Sequence, residues 1–197
     1  MFISERYKLI FLEVPRTGSR SVTKALVQLD PESPTHRLRQ LRGNYYNYHN
    51  NNLTGYVDDD YRIIAGHRNP FDRVWSYWKH RRTSGNPKIL KSIEWPRYVD
   101  WVYDPASVPE IKKANMDIPI TEMFDPEIID YWLCFESLDR SWWECAQTLN
   151  FPYIALKKVN RSPEIGEFKH AYTADTAKKV LNRFQSDFEY FGYSTEI

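Results

Sequence analysis

Cysteine is scarce: the 197-residue chain holds two, Cys134 and Cys145, in the apolar contexts WLCF and WECA. That excludes a disulfide-rich scaffold, and the spacing fits no metal site, so both read as free buried thiols. An excess of charge is also missing. Twenty-seven Lys and Arg oppose 26 Asp and Glu, for a net charge of +1, which argues against a general nucleic-acid or membrane binder. Long apolar runs are absent. The run Leu9–Leu12 stops at Glu13, so the start does not read as a signal peptide and no stretch approaches a bilayer span. The expectation is a soluble, cytoplasmic protein, in which the Asn-x-Ser/Thr triplets at Asn52 and Asn160 carry no meaning.

What is present is ordinary globular material, 42% apolar and 27% charged, enough for one domain over residues 1–197 with its own core. Seven Trp and fourteen Tyr suit either a bulky core or a ring-shaped ligand. Positive charge is local. Residues 1–50 carry eight Lys and Arg against four Asp and Glu, and clusters recur at Lys79–Arg82 and Lys157–Arg161. Each cluster alone would pass as a solvated face. Together, on a nearly neutral chain, they suggest a compact anionic ligand.

Periodicity predicts alternating strands and helices. Lys8–Val14, Tyr61–Gly66 and Asp130–Phe135 read as strands, with a short one at Tyr153–Leu156. Helical spacing marks Ser21–Leu29, a helix opening at Asn69–Pro70, Ser92–Val102 capped by Ser92, Ser141–Leu149, and Thr173–Phe191. The second of these shows Phe71, Val74, Trp75 and Trp78 on one stripe, and the last shows Val180, Leu181, Phe184 and Phe188. A turn or short helix at His36–Leu41, a polar aromatic loop at Asn44–Asn52 and a Pro- and Asp-rich middle section at Tyr103–Pro126 lie between. The order predicts an α/β single domain with a central parallel sheet flanked by helices.

The loop Val14-Pro-Arg-Thr-Gly-Ser-Arg-Ser-Val22 joins a buried strand to a helix. Such a junction aims free N–H groups and the positive end of the helix dipole at whatever lies beyond the strand, which suits an anion. Gly18 lets the backbone approach, Thr17, Ser19 and Ser21 offer hydroxyls, and Arg16 and Arg20 offer charged donors. A plain connection explains the same pattern. A Walker loop does not, because its first Gly is missing and no Lys precedes Ser19 or Ser21.

A second candidate follows the next strand, in His67-Arg-Asn-Pro-Phe-Asp-Arg-Val-Trp-Ser-Tyr-Trp78. Arg68 sits at the strand exit, and Ser76 shares a helical stripe with Asn69, Asp72 and Arg73, away from the apolar face. The two can converge on one anion; alternatively Arg68 pairs with a carboxylate and Ser76 faces solvent. The pair Pro-Arg-Thr-Gly-Ser and Arg-Asn-Pro-x-x-Arg-x-x-Ser resembles the sulfotransferase superfamily, with the carbohydrate sulfotransferases as the most similar branch. Ser92–Val102, Phe135-Glu-Ser-Leu138, Val159-Asn-Arg-Ser162 and Asp187–Tyr193 also resemble family segments, in the right order.

The resemblance implies a P-loop-kinase-like fold, 3′-phosphoadenosine 5′-phosphosulfate (PAPS) as donor, a saccharide or other hydroxyl acceptor, and no metal. It implies that residues Arg16 to Ser21 hold the 5′-phosphosulfate, Arg68 and Ser76 the 3′-phosphate, and that Lys158, Asn160 and Arg161 join the donor site. One departure is plain: Arg16 stands where most of the superfamily has Lys, although a protein-tyrosine branch also has Arg. An acceptor hydroxyl needs a base. His36 opens the helix after the first strand–helix unit, as a His does in a similar family segment; His49 and a carboxylate such as Glu13 are the alternatives. Against the transferase stand a kinase of related architecture and a non-catalytic binder of adenosine bisphosphate.

Overall fold

The computed structural model describes residues 1–33, 60–84, 92–108, 118–157 and 167–197. The expected elements at 36–41 and 44–52 lie outside them. In chain order the elements are β1 (Phe2–Ser4), β2 (Leu9–Leu12), α1 (Ser19–Leu29), β3 (Arg62–His67), α2 (Pro70–Ser84), α3 (Trp95–Tyr103), α4 (Ile120–Met123), β4 (Tyr131–Cys134), α5 (Leu138–Thr148), α6 (Ala174–Arg183) and α7 (Gln185–Phe191). They divide between two compact units, Met1–Arg68 with Glu122–Arg161, and Asn69–Thr121 with Ser162–Ile197.

The first unit is built on one sheet in the order β1-β2-β3-β4. Strands β2, β3 and β4 run parallel, in the register Phe11↔Ile64↔Tyr131, and β1 pairs antiparallel with β2. The α/β class with a mostly parallel sheet thus holds, with an antiparallel edge strand added. Leu9, Phe11, Ile64 and Leu133 share a face and pack with Val22, Ala25, Leu26 and Leu29 of α1 and with Trp142, Cys145 and Ala146 of α5. Ile10, Leu12, Ile63 and Ala65, on the opposite face, are buried too. Burial on both faces accounts for the continuous apolar runs of β2 and β3.

Tyr153–Leu156 is not a strand. The carbonyl of Ile154 accepts from the indole N–H of Trp142 at 2.9 Å, so this backbone serves a buried side chain. Neither cysteine is in a disulfide, and Cys145 is buried whereas Cys134 is half-buried.

The second unit has an aromatic core. Phe71 and Val74 of α2, with Trp75 and Trp78 packed against them, meet Trp95, Tyr98 and Val102 of α3, Val180 and Phe188 of the last two helices, and Phe184 between those two. The expected stripes are therefore the packed ones. Helix α3 starts later than expected, with Glu94 at its N-cap and no side-chain cap. Pro96 lies in its first turn, where a missing N–H costs nothing. The expected last helix is two. Phe184 breaks it at φ −111° and ψ 23°, so that Phe184 and Phe188 both enter the core while Asp187 turns to another partner.

That partner is the segment before and within α4. Asp187 accepts from the N–H of Ile120 at 2.8 Å and of Thr121 at 2.9 Å, and from the Thr121 hydroxyl at 2.9 Å. It also faces Arg73 of α2 at 3.6 Å, both side chains being almost wholly buried. Arg73 in turn donates to the Ile118 carbonyl at 3.4 Å. The polar stripe of α2 is thus as buried as its apolar one: Asp72, Arg73 and Ser76 all lack exposure.

Breaking a buried pair leaves an uncompensated charge, at a cost of about 3–5 kcal/mol, whereas an exposed pair contributes about 0–1 kcal/mol. Asp187→Ala should therefore lower unfolding stability several-fold more than Glu144→Gln, which removes the exposed helical pair Arg140–Glu144. Urea titrations followed by Trp fluorescence compare the two, and equal losses would mean that the Asp187 network does not hold this unit together.

Candidate functional site

The chain leaves β2 through a tight loop. The N–H of Val14 returns to the Leu12 carbonyl at 2.9 Å, and the Thr17 hydroxyl donates to the Val14 carbonyl at 3.0 Å. Thr17 is 1% exposed and lies against Gly66 of β3, where an added Cβ would stand 2.7 Å from its Oγ1. Its hydroxyl is engaged within the loop. Arg16 and Gly18 both take left-handed backbone, at φ 69° and 78°. A side chain on Gly18 would collide with Leu138, next to the Phe135 ring. Glycine here meets a conformational demand and a steric one together.

This loop ends on an uncapped helix. Gly18 is the N-cap of α1, with no side chain to accept from the first turn and no acidic residue in that turn. The first N–H groups of a helix have no partner inside it, and the dipole places partial positive charge there. Helix α2 is the contrast within the same chain. Its start is closed by Asn69, whose Oδ1 accepts from Phe71 at 2.9 Å and Asp72 at 3.4 Å, and Asp72 stands in its first turn. The capped helix needs no anion; the start of α1 suits one.

Arg68 connects the loop to the rest of its unit. The register pairs His67 with Cys134, so Arg68 and Phe135 each stand one residue beyond it, side by side at the carboxyl edge of the sheet. The guanidinium lies 3.9 Å above the centre of the Phe135 ring and donates through Nη1 to the Arg16 carbonyl at 3.0 Å. It is 2% exposed. The carbonyl it holds belongs to the left-handed residue, so the second sequence motif stabilises the first.

The structure thus brings Arg16, Thr17, Gly18 and Arg68 together, with Ser19, Arg20 and Ser21 opening α1. Ser76 lies in the other unit, on α2, and is buried, which excludes the solvent-facing alternative. His36, His49, Lys158, Asn160 and Arg161 lie outside the described residues. Glu13 accepts from the Thr23 hydroxyl at 2.6 Å and pairs with the amino group of Met1 at 3.3 Å. Sequence reasoning missed Gly66, Phe135 and Leu138 as parts of the site. The Phe-Glu-Ser-Leu turn was visible as a motif, but its contacts with Arg68 and Gly18 follow from strand register, which no local pattern reveals.

His67, beside Arg68, is half-buried and edge-on to Trp132. Burial lowers its pKa from 6.5 to about 4, and the charge of Glu136 only partly opposes this. Between these values the unfolded chain takes up a proton that the folded chain refuses, so stability is full above pH 6.5 and falls as pH drops towards 4. The whole shift corresponds to at most about 3 kcal/mol. Urea midpoints at pH 7.5 and pH 5 should differ more in the wild type than in His67→Gln. Identical pH slopes in the two would remove His67 as the source.

The comparison with protein families agrees with this geometry: the model of the sulfotransferase family matches residues 1–194. Neither the curated proteins nor the solved structures yield a match. Among the described residues no helix is long and apolar enough to cross a membrane, and no group of His, Cys, Asp and Glu could hold a metal ion. With a matched span that includes both sequence motifs and every strand of the sheet, the chain belongs to the sulfotransferase family.

Proposed function

We propose that the chain transfers the sulfuryl group of PAPS to a hydroxyl acceptor of the saccharide class, as its resemblance to the carbohydrate branch suggests. The observation that carries the proposal is the uncapped start of α1, joined through Arg16 to the buried guanidinium of Arg68. Those donors fit a dianionic group. In this reading Arg16 and the N–H groups following Gly18 hold the 5′-phosphosulfate, and Arg68 and Ser76 hold the 3′-phosphate, with Lys158, Asn160 and Arg161 completing the donor site.

Transfer is an in-line displacement. The acceptor oxygen bonds to sulfur as the bond from sulfur to the 5′-phosphate oxygen breaks, and the electron pair leaves with that phosphate. The residues contribute by positioning and by stabilising the charge that grows on the leaving group. Arg16 cannot donate a proton as a Lys could, so its part is purely electrostatic. The acceptor proton passes to His36, the base this reading favours, with His49 and Glu13 as alternatives.

Adenosine 3′,5′-bisphosphate should stabilise the protein by about 2.7 kcal/mol at one hundred times its dissociation constant, and ATP should stabilise it much less. A Ser76→Ala variant should lose roughly 0.5–1.5 kcal/mol of bisphosphate binding while keeping its affinity for adenosine 5′-phosphosulfate. Calorimetry measures both. Equal shifts with ATP, or a requirement for magnesium, would favour a kinase. Binding without transfer to any glycan, phenol or peptide acceptor would leave a non-catalytic binder.

The base is tested separately. His36→Ala should lower kcat by about 10²–10⁴ and leave bisphosphate affinity nearly unchanged. The wild-type rate should rise with pH through a value near about 6.5, the ordinary histidine pKa, and that limb should vanish in the variant. If His49→Ala removes it instead, the base lies at His49; if neither variant matters, Glu13→Gln is the next measurement.

A further inference from the structure

We infer that Phe135 is a positioning residue: its ring fixes the plane of the Arg68 guanidinium and, through Arg68, the conformation of the loop from Val14 to Gly18. As regards the ligand, this rests on the function proposed above.

A guanidinium is flat and permanently charged, with its N–H groups confined to its plane. Fixing it takes two constraints. One must set the tilt of the plane, and the other its rotation within that plane. The Phe135 ring, 3.9 Å from the guanidinium carbon, sets the tilt. The Arg16 carbonyl, 3.0 Å from Nη1, sets the rotation. With both in place, the directions of the remaining N–H groups follow. Neither constraint substitutes for the other: a bond to a carbonyl does not set the tilt of the plane, and a ring face does not set the rotation within it.

The backbone explains why Phe135 is available for this. His67 and Cys134 are register partners on adjacent parallel strands, so the next residue of each strand emerges at the same edge. Phe135 then begins the short 3-10 turn Phe135–Ser137, which leads into α5 at Leu138. Leu138 and Phe135 are also the side chains nearest Gly18. One turn therefore bears on the loop at two points: directly at Gly18, and through Arg68 at Arg16. Arg16 is left-handed at φ 69° without being glycine, a conformation that carries strain and needs support from its surroundings. The bond from Arg68 supplies that support only while the guanidinium keeps its orientation.

The test compares Phe135→Leu and Phe135→Met, which keep apolar bulk but lose the ring, with Phe135→Tyr, which keeps the ring. Phe151→Leu trims the core of the same unit elsewhere and controls for general destabilisation. Two readouts are needed. Hydrogen exchange of the amides of residues 16–21 should accelerate about two- to thirtyfold in the Leu and Met variants, stay near wild type in the Tyr variant, and be unchanged relative to neighbouring amides in Phe151→Leu. Calorimetry with adenosine 3′,5′-bisphosphate should show a loss of similar size and the same rescue by Tyr. Unchanged loop exchange in both the Leu and Met variants, or a Tyr variant as fast as Leu, overturns the inference. Failure of the wild-type protein to bind the bisphosphate overturns the proposed function instead, and the exchange comparison still decides the role of Phe135.

Discussion

A permanent positive charge is held at the carboxyl edge of the sheet with almost no access to water, and the arrangement of the site follows from satisfying it. Arg68 cannot shed its proton, so burial has to be offset by contacts that suit a cation. The chain supplies an aromatic face from the turn after β4 and a backbone carbonyl from the loop after β2. Both contacts require β3 to lie between β2 and β4, in the register that places His67 opposite Cys134. The same order brings Gly66 against Thr17. Strand order, loop shape and charge placement are thus parts of one solution.

The other unit holds its own buried arginine differently. Arg73 has a carboxylate partner in Asp187, and that carboxylate also gathers two backbone N–H groups and a hydroxyl from residues 120 and 121. The pair is neutral as a unit and surrounded by packed aromatics. It reads as scaffold. Arg68 lies against a π face and donates to a neutral backbone carbonyl. Two arginines five residues apart in sequence thus differ in these contacts, although both are buried.

Much of this was legible in the sequence, and the division follows physical lines. The apolar runs of β2 and β3, the stripe Phe71–Val74–Trp75–Trp78 and the Asn69 cap are local signals, and the structure contains each of them. What could not be read depends on contacts distant in sequence. The break at Phe184 follows from the demands of Asp187 across 66 and 67 residues. The missing strand at residues 153–156 follows from an indole that claims the Ile154 carbonyl. At the site, Arg16, Gly18 and Arg68 stood out by residue type, whereas Phe135 was visible as part of a motif but its place beneath a guanidinium follows only from strand register.

The antiparallel edge strand has a consequence for how the chain assembles. The pairing of β1 with β2 joins residues only five to nine apart in sequence, in Phe2↔Phe11, Ile3↔Ile10 and Ser4↔Leu9. The parallel pairings Leu9↔Arg62 and Ile64↔Tyr131 must instead close loops of more than fifty residues. Hairpins form in about 1–10 μs, and long-range parallel pairing is intrinsically slower because loop entropy is lost before contacts reward it. The β1–β2 hairpin therefore offers β3 a strand whose edge is already ordered. The loop from Val14 to Gly18, which begins two residues after β2, inherits an anchored end before the strand that brings Arg68 has arrived.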